Sequence, residues 1–307
     1  MDRLAAMHTF VEIVDRGSMT AAAEVLHRSQ PSVVRMLAAL EKDLGALLLR
    51  RTTRRMSLTP EGQDYLERCR RILADVEEAE RAVVQGETEP RGQIRMTGPV
   101  EFGRIYLAPT LTAFLRKHNQ VRVDLLLTDR NVDLVNEGID LALRIGPLAD
   151  SSMIAMRVGD VRRVIVASPA FLQSTGIPEH PDALSRLPCI RQQNIPRTET
   201  TWPFADNGKE FGVRVDGRFG VNQVAAATSA CVNDMGFGQF LSYQVKDLIR
   251  QNKLQIVLEK YELDPWPVSL VYPGSRLVSS RLRALIGWLK SSLPERGKFA
   301  QIASDIT

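Results

Sequence analysis

Arginine side chains that can bind phosphate are concentrated in one short part of the chain. Between Arg28 and Arg55 there are seven basic residues and two acidic ones, whereas the whole 307-residue chain carries a net charge of only +4. Guanidinium groups form charge-assisted hydrogen bonds with phosphate, and glutamine and arginine can read the edges of adenine and guanine. A basic block in a balanced chain is typical of nucleic-acid contact, with an ordinary solvated basic face as the alternative.

The residues that most enzymes need do not occur at catalytic spacings. The four histidines are scattered at His8, His27, His118 and His180, and no metal-like Cys/His spacing is present. The sequence contains neither H-E-x-x-H, G-x-S-x-G nor a P-loop, and the stretch 236–238 lacks the third glycine of a dinucleotide site. We therefore expect no enzyme activity, no metal and no cofactor.

Cysteine usage and hydropathy indicate the cellular compartment of the chain. Cys69, Cys189 and Cys231 form an odd set without a C-x-x-C pair, which argues against a disulfide framework. Buried thiols are favoured over the alternative, a redox pair of Cys189 and Cys231. No apolar run approaches the roughly 20 residues of a membrane span, and polar residues interrupt the first positions where a signal core would lie. We expect a cytoplasmic chain.

Helical periodicity predicts three helices in the first 45 residues. Asp2 and Gly17 can bound the first, Thr20 can cap the second, and Ser29 can cap the third, which ends at Gly45. Two short helices joined by a tight turn, the second beginning Ser-Gln-Pro-Ser, make a helix-turn-helix candidate. Residues 47–51 and 55–58 then predict two short strands with an arginine-rich tip, a wing beside the helices. An ordinary helical bundle is the alternative for any single piece.

A fourth, longer helix is predicted from Thr59-Pro60 to Gln85. Its apolar residues are spaced 4, 3, 4, 3 and 4 apart, which is an a/d heptad seam with charged flanks. This pattern favours contact with the same helix of a second subunit, and packing on its own domain is the alternative. The seam residues are Tyr65, Cys69, Ile72, Val76, Ala79 and Val83. Residues 86–92 predict a hinge.

The remaining two hundred or so residues alternate strand and helix patterns, which predicts an α/β fold with a mostly parallel sheet. The expected strands are 94–97, 121–127, 140–145, 163–167, 212–215, 254–257 and 268–272. The expected helices are 104–117, 132–137, 170–174, 224–232, 243–251 and 281–293.

These residues resemble the family of LysR-type bacterial transcriptional regulators. The match includes Gly-Ser-Met-Thr-Ala-Ala-Ala-Glu-Val-Leu at 17–26 and Ser-Gln-Pro-Ser-Val-Val-Arg at 29–35. It continues through residues 40–45 and 50–62, a highly specific combination. The later half also looks like the effector domain of the family, so that the resemblance covers essentially the whole chain. The later segments are 102–104, 107–109, 129–130, 133–135, 138–146, 150–152 and 167–172.

The resemblance implies a winged helix-turn-helix (residues 1–59), a dimerisation helix (60–85) and then the hinge. A two-lobed α/β effector-binding domain (93–293), similar in fold to a periplasmic binding protein, and a tail (294–307) follow. In such folds the chain crosses between the lobes twice, and we place the crossings near Val166 and Pro265. Lobe one is then 93–165 with 266–293, and lobe two is 166–265. A solute-binding module or an enzyme on the two-lobed domain is the alternative, which the helix-turn-helix disfavours.

The resemblance implies that the chain binds double-stranded DNA at an interrupted palindrome and a small-molecule effector. It also implies self-association into dimers and tetramers. RNA polymerase is a possible further partner, and no membrane contact is expected. The expected DNA contacts open the third helix or lie at the wing. They are Thr20, Ser29, Gln30, Pro31, Ser32, Val34, Arg35, Arg50, Arg51, Thr52, Arg54 and Arg55. Many members of the family have serine at the place of Val34, whose apolar side chain can instead pack on a thymine methyl group.

Strand ends and helix N-termini are expected to form the effector site between the lobes. The nominated residues are Thr97, Pro99, Val100, Glu101, Phe102, Thr128, Arg144, Gly146, Asn194, Trp202, Asn222, Gln223, Phe237 and Gln239. Glu101 has two interpretations. It either caps its helix or pairs with Arg104, or it points into the cleft, with Arg144 as partner, and favours a neutral or cationic effector.

Overall fold

A computed structural model of the chain describes residues 2–51, 56–85, 89–148, 153–192, 201–274, 278–296 and 299. The chain divides into two compact units, Met1–Glu89 and Pro90–Thr307. Each unit has its own hydrophobic core. Within the described residues, no helix is both long and apolar enough to cross a membrane.

The first unit consists of three helices, a two-stranded hairpin and a long helix. Its elements are α1 Arg3–Arg16, α2 Met19–Val25, α3 Gln30–Leu44, β1 Leu49–Arg51, β2 Met56–Leu58 and α4 Pro60–Gln85. Asp2 caps α1, and Gly17 and Gly45 end α1 and α3 in the left-handed region. The N-cap of α2 is Ser18, whose hydroxyl accepts from the backbone N–H of Thr20, so the prediction that Thr20 is the cap was wrong by two residues.

Small side chains allow the first three helices to pack closely. Ala22 and Ala23 of α2 are buried against α1 and α3, beside the fully buried Phe10 and Leu37. The apolar stripe of α3, which begins at Val33 in its first turn, faces this core, and Gln30 and Pro31 of the same turn are exposed.

A buried carboxylate fixes the hairpin to α3. Glu41 is only 8% exposed, and its Oε1 accepts the backbone N–H groups of Leu48 and Leu49 at 2.8 and 3.1 Å. Thr59 completes the connection, because its hydroxyl donates to the carbonyl of Leu47 and accepts from the N–H of Gly62. No side chain fits at Gly62, where a Cβ would lie 2.0 Å from the carbonyl oxygen of Leu48. The helix, hairpin and start of α4 are thus joined by buried polar contacts.

The second unit contains twelve strands and six helices in the residues described. They are β3 Gly92–Gly98, α5 Val100–Phe102, α6 Ala108–Lys117, β4 Val121–Leu127, β5 Leu141–Ile145, β6 Met153–Val161, β7 Arg163–Ala167, α7 Pro169–Thr175, β8 Arg191–Gln192, β9 Thr201–Asp206, β10 Lys209–Arg214, β11 Gly220–Val221, α8 Val224–Val232, β12 Gly238–Leu241, α9 Ser242–Arg250, β13 Gln255–Val257, β14 Trp266–Pro273 and α10 Ser280–Arg296.

The larger sheet of this unit is mixed rather than mostly parallel. Its strand order is β4-β3-β5-β14-β6, in which β3 runs parallel to β4 and β5. Strand β14 is antiparallel to both β5 and β6. In the second sheet, β12 and β13 are both antiparallel to β7. The prediction of a mostly parallel sheet was wrong because β14 returns from the second lobe in the opposite direction.

The two sheets define two lobes, and the chain passes between them twice. It leaves the larger sheet after Val161 and enters the smaller one at Arg163, so the first crossing is at Arg162 and not near Val166. The boundary moves because all of β7 pairs with strands of the second lobe. The chain returns at Trp266, next to the Pro265 crossing expected from the sequence.

Local differences from the predicted elements have identifiable causes. Residues 134–138 form turns where a helix was expected at 132–137, and the carboxylate of Asp133 accepts the backbone N–H groups of Val135 and Asn136 at 3.0 Å each. The helix expected from Arg104 begins at Val100 and continues through a π-helical turn, Gly103–Leu107. Strands β6, β8, β9, β11 and β12 were not predicted.

Candidate nucleic-acid interface and ligand cleft

The first two turns of α3 carry five of the twelve residues expected to contact DNA. Gln30, Pro31 and Arg35 are exposed, and Ser32 and Val34 are half-buried, while Val33 of the same turn is fully buried in the core. Thr20 and Ser29 are exposed as well. The arrangement leaves the amide of Gln30 available to a base edge in a major groove.

The hairpin β1–β2 forms the wing beside this helix. Arg50 pairs across the strands with Ser57, and its side chain is exposed. Arg51 pairs with Met56, and its side chain lies outside the description. Thr52, Arg54 and Arg55 lie outside the described residues. The wing therefore carries at least one exposed basic side chain, that of Arg50.

The first part of the predicted dimer seam packs inside its own subunit. Cys69 is fully buried against α1, and the ring of Tyr65 lies 6.0 Å from that of Phe10. Burial raises the pKa of the Cys69 thiol to about 11 and that of Tyr65 to about 12. The assignment of Cys69 to a dimer contact was wrong, because its side chain is fully buried in the core of the helix-turn-helix unit. Tyr65 is half-buried and packs on the same core, and its part in a dimer contact stays a prediction.

The later part of the seam is uncovered where the structure describes it. Ile72 is 40% exposed, and Val76 is half-buried. The side chains of Ala79 and Val83 lie outside the description. An apolar strip at Ile72 and Val76 thus follows the part of α4 that packs on α1.

A cleft of about 560 Å³ lies between the two lobes of the second unit. Lobe one contributes the loops that follow β3, β4 and β5, and lobe two contributes residues around β7, β11 and β12. The nominated residues that line the cleft are Thr97, Pro99, Thr128, Arg144, Asn222 and Gln239.

Other nominated residues lie outside the cleft lining. Phe102 and Phe237 are fully buried in separate cores, and Trp202 is buried in the core of lobe two. They were nominated for their position in strand and helix ends, but their apolar side chains turn inward. Val100, Glu101, Gly146 and Gln223 also do not line the cleft, and Asn194 lies outside the described residues.

Glu101 forms an ion pair with the arginine one helical turn later. Its Oε2 lies 2.8 Å from Nη2 of Arg104, and the contact raises the pKa of Arg104. The interpretation in which Glu101 fills the cleft and excludes anions was therefore wrong. The N–H of Val100 at the start of this helix donates instead to Asp129, at 3.1 Å.

Three arginines and one aspartate line the cleft. Arg130 makes two hydrogen bonds to Glu137, at 3.1 and 3.0 Å, and Arg144 donates to the carbonyl of Val132. Arg163 lies over the ring of Trp266, 4.2 Å from its centroid. The cleft is therefore positively charged.

Sequence reasoning missed Asp129, Arg130, Arg163, Gln192 and Trp266, which also line the cleft. Arg163 and Trp266 begin the two strands that follow the crossings. Had the first crossing been placed at Arg162, these positions would have been nominated, since residues at a crossing lie at the interface of the lobes.

The cysteines of the second unit are free and buried. Burial raises the pKa values of Cys189 and Cys231 to about 12, and the Sγ of Cys231 donates to the carbonyl of Gly236 at 3.3 Å. Such thiols carry almost no thiolate at neutral pH, which favours the interpretation as structural residues. Among the described residues, no group of three His, Cys, Asp or Glu side chains could hold a metal.

A helix-turn-helix with a wing, followed by a two-lobed domain with a central cleft, defines a ligand-responsive DNA-binding protein. Residues 4–63 match the family model "Bacterial regulatory helix-turn-helix protein, lysR family", and residues 87–294 match the model "LysR substrate binding domain". The chain belongs to the LysR family of bacterial transcriptional regulators. It is a DNA-binding regulator with an effector-binding domain.

Individual relatives extend over nearly the full length. The chain is 33% identical to an HTH-type transcriptional repressor of Pseudomonas aeruginosa over 96% of this chain and 93% of the relative. It is similar to the solved structure of CrgA, a LysR-type regulator from Neisseria meningitidis, with 29% identity, a TM-score of 0.60 and coverage of 94% and 98%. The full-length regulator LysG of Corynebacterium glutamicum, solved with bound effector Arg, shares the fold at 18% identity, with a TM-score of 0.55 and coverage of 95% and 98%.

Proposed function

We propose that a small molecule bound in the cleft between the lobes changes how this regulator binds its operator. The observation that carries the proposal is the cleft of about 560 Å³, which is lined from both lobes next to both crossings. This volume is within the range of small-molecule sites. A ligand that contacts both lobes stabilises the relative arrangement to which it binds more tightly, and so shifts the population of the regulator.

On the DNA side, α3 enters the major groove and the wing contacts the backbone or minor groove beside it. The exposed first turn of α3 supports this role, with Gln30 reading a base and Arg35 reading guanine or contacting a phosphate. Arg50, Arg51, Thr52, Arg54 and Arg55 bind phosphate or the minor groove, which is the usual role of basic residues at a wing.

Subunits pair through the uncovered strip of α4. Ile72 and Val76 bury against the same residues of a second copy, with Ala79 and Val83 extending the contact. A twofold dimer presents two recognition helices, and its operator is therefore an interrupted palindrome. Membership of the family supports the further proposals of tetramers formed through effector domains, contact with RNA polymerase, a cytoplasmic location and the absence of an enzymatic activity.

The experiment begins with genome-wide mapping of bound sites, and a mapped promoter then drives a reporter in cells grown on different carbon and nitrogen sources. Asn222 lines the cleft and is exposed, so Asn222→Trp fills the cleft without disturbing the core. Gln223→Trp is the matched control, because Gln223 is also exposed but does not line the cleft.

We expect the reporter to respond to growth conditions with the wild type and Gln223→Trp but not with Asn222→Trp. Equal responses from all three proteins would show that the cleft does not control transcription.

A further inference from the structure

Arg163 has a buried nitrogen without a hydrogen-bond partner. Its Nε is inaccessible to solvent and is one of three buried side-chain polar atoms in the described residues that lack a partner. The other two, on Tyr65 and Thr110, are hydroxyl groups away from the cleft lining. Burying a charged donor without an acceptor is costly, so the hydrogen bonding of this guanidinium is incomplete within the described part of the chain.

The guanidinium of Arg163 is held in place by its neighbours. It stacks on the indole of Trp266, and the backbone of Arg163 pairs with Leu241 in the second sheet. Trp266 itself packs against Gly146, where a Cβ would lie 3.3 Å from the ring. The planar donor group is therefore oriented at the edge of the cleft before any ligand binds.

The other charged groups of the cleft already have partners. Arg130 is bound to Glu137, Arg144 donates to a backbone carbonyl, and Asp129 accepts the N–H of Val100. No ion pair involves Arg163 in the described part of the chain. Desolvation lowers the pKa of Arg163, and the charge of Glu210 only partly opposes this effect. Among the described cleft residues, Arg163 is thus the cation with neither an ion pair nor a hydrogen-bond acceptor for its side chain.

We infer that Arg163 is the anion-binding residue of the effector cleft and that the effector is a small carboxylate bound by this guanidinium against Trp266. The inference rests on the proposed function of the cleft. A planar guanidinium matches a carboxylate through two parallel N–H···O hydrogen bonds. One unpaired guanidinium suits one carboxylate better than a phosphate ester, which carries about two negative charges.

The remaining lining fits the rest of such a molecule. Asn222, Gln192 and Gln239 supply amide groups from lobe two, and Leu143, Ile145 and Phe240 supply apolar walls. A carboxylate with an apolar body therefore has a complementary surface in both lobes. Because Arg163 and Trp266 stand at the two crossings, the acid group binds where the lobes turn relative to each other.

The test uses the full-length protein with four small probes in matched pairs: benzoate with benzamide, and succinate with succinamide. Each pair has nearly the same shape but differs in charge. Binding is measured by thermal shift and by tryptophan fluorescence for wild type, Arg163→Gln and Arg130→Gln. Arg130→Gln is the control because it removes a cleft arginine that already has an ion-pair partner.

We expect at least one carboxylate to bind the wild type more tightly than its amide and to change the fluorescence of Trp266. Arg163→Gln should weaken carboxylate binding about tenfold to hundredfold, the range for hydrogen bonds to charged groups, and remove the preference over the amide. Arg130→Gln should weaken it less than about threefold. If Arg163→Gln does not fold, two measurements still test the inference. The first is the preference of the wild type for a carboxylate over its amide. The second is the fluorescence change on binding of the carboxylate, which should be absent in Trp266→Phe.

Amides that bind as tightly as carboxylates, or binding of none of the four probes, would overturn the inference about Arg163. The Asn222→Trp variant separates this failure from that of the proposed function. If it blocks uncharged probes while no charge preference exists, the cleft remains an effector site and Arg163 is not its anion-binding residue. If probes bind equally well to Asn222→Trp, the cleft itself is not the binding site and both proposals fall.

Discussion

The guanidinium of Arg162 is bound by the carboxylate of Glu262, with Nε and Nη2 at 2.8 and 2.9 Å from its two oxygens, although 100 residues separate them. Arg162 is the residue of the first crossing, and Glu262 lies just before the second. The ion pair therefore ties together the two connections between the lobes. Glu262 raises the pKa of Arg162, whereas burial raises the pKa of Glu262 more than the nearby arginine lowers it.

The first prediction concerns the stability that this pair contributes. Both oxygens of the buried carboxylate accept from Arg162, so Glu262→Gln, which keeps only one acceptor oxygen, should lower the free energy of unfolding at pH 7 by about 1–3 kcal/mol. Glu262→Ala leaves the guanidinium without that acceptor and should cost about 3 kcal/mol or more. Urea denaturation of the three proteins measures the difference, with Glu259→Ala as an exposed control worth under about 1 kcal/mol.

The pH dependence of the same variants follows from the sign of the shift. A carboxyl group with a raised folded pKa contributes stability that is present below its unfolded pKa and is lost as the pH rises through the folded value. Wild type should therefore gain stability relative to Glu262→Gln as the pH falls toward the usual range of a glutamate. A difference that moves in the opposite direction would mean that the ion pair outweighs the burial of the carboxylate.

DNA affinity should fall steeply with salt. If the α3 face and wing of a dimer neutralise six to ten phosphates, affinity drops roughly 10³–10⁵-fold between 50 and 200 mM salt, because counterions are released on binding. Fluorescence anisotropy with an operator duplex measures the slope, and Arg50→Ala should reduce it by about one contact per subunit. A nearly flat dependence would contradict the phosphate-binding role of the wing.

Gln30→Ala should relax sequence preference rather than weaken all binding. The loss of a bidentate base contact should reduce discrimination at one position by about 1–3 kcal/mol. Arg50→Ala is the matched comparison, since loss of a phosphate contact weakens all sequences about equally. Competition binding against single-base operator variants measures both effects, and a uniform loss in both proteins would exclude Gln30 as a base reader.

Ile72→Glu or Val76→Glu should dissociate the dimer and abolish operator binding while leaving the subunit folded. Ile72 is exposed and Val76 is only half-buried in the subunit, so a charge there chiefly disfavours the contact with a second copy. Gln63→Glu adds the same charge to an exposed position of α4 outside the seam and should leave the dimer intact. Sedimentation velocity compares the proteins, and unchanged dimers in both seam variants would refute this contact.

Glu101→Gln should leave ligand preference unchanged. Glu101 faces Arg104 and does not line the cleft, and its partner is two-thirds exposed, so the variant should lose less than about 1 kcal/mol of stability. Thermal shift with benzoate and benzamide provides the comparison. A gain of carboxylate affinity in the variant would mean that Glu101 reaches the ligand.

The sequence predicted the elements whose signals are local. Caps and stops such as Asp2, Gly17 and Gly45 bound their helices as expected, because each acts on its own turn of backbone. Strand β6 was missed because polar residues interrupt its pattern of apolar residues. The direction of β14 was predicted wrongly, because it is set by the return of the chain from the other lobe. Long-range pairing leaves no trace within a short window of sequence.

The candidate site was predicted only in part for the same reason. Thr97, Thr128 and Arg144 follow or end strands of lobe one and line the cleft as nominated. Phe102 and Phe237 also lie at or next to the end of a helix or strand, but packing turns their side chains inward. Arg163 could not be recognised from its neighbours in sequence, because the feature that distinguishes it is a missing hydrogen bond in the folded protein.

The carboxylate of Glu41, which binds the backbone of Leu48 and Leu49, fixes the position of the wing relative to α3 in the DNA-binding unit. Since α3 and the wing are joined by this buried contact, we expect the two to meet an operator as one unit rather than to shift separately when its grooves are spaced differently. The DNA has to adapt, and sequences that bend or narrow easily at the wing do so at a lower energy. Base pairs that no side chain touches thereby affect the affinity of this regulator for its operator.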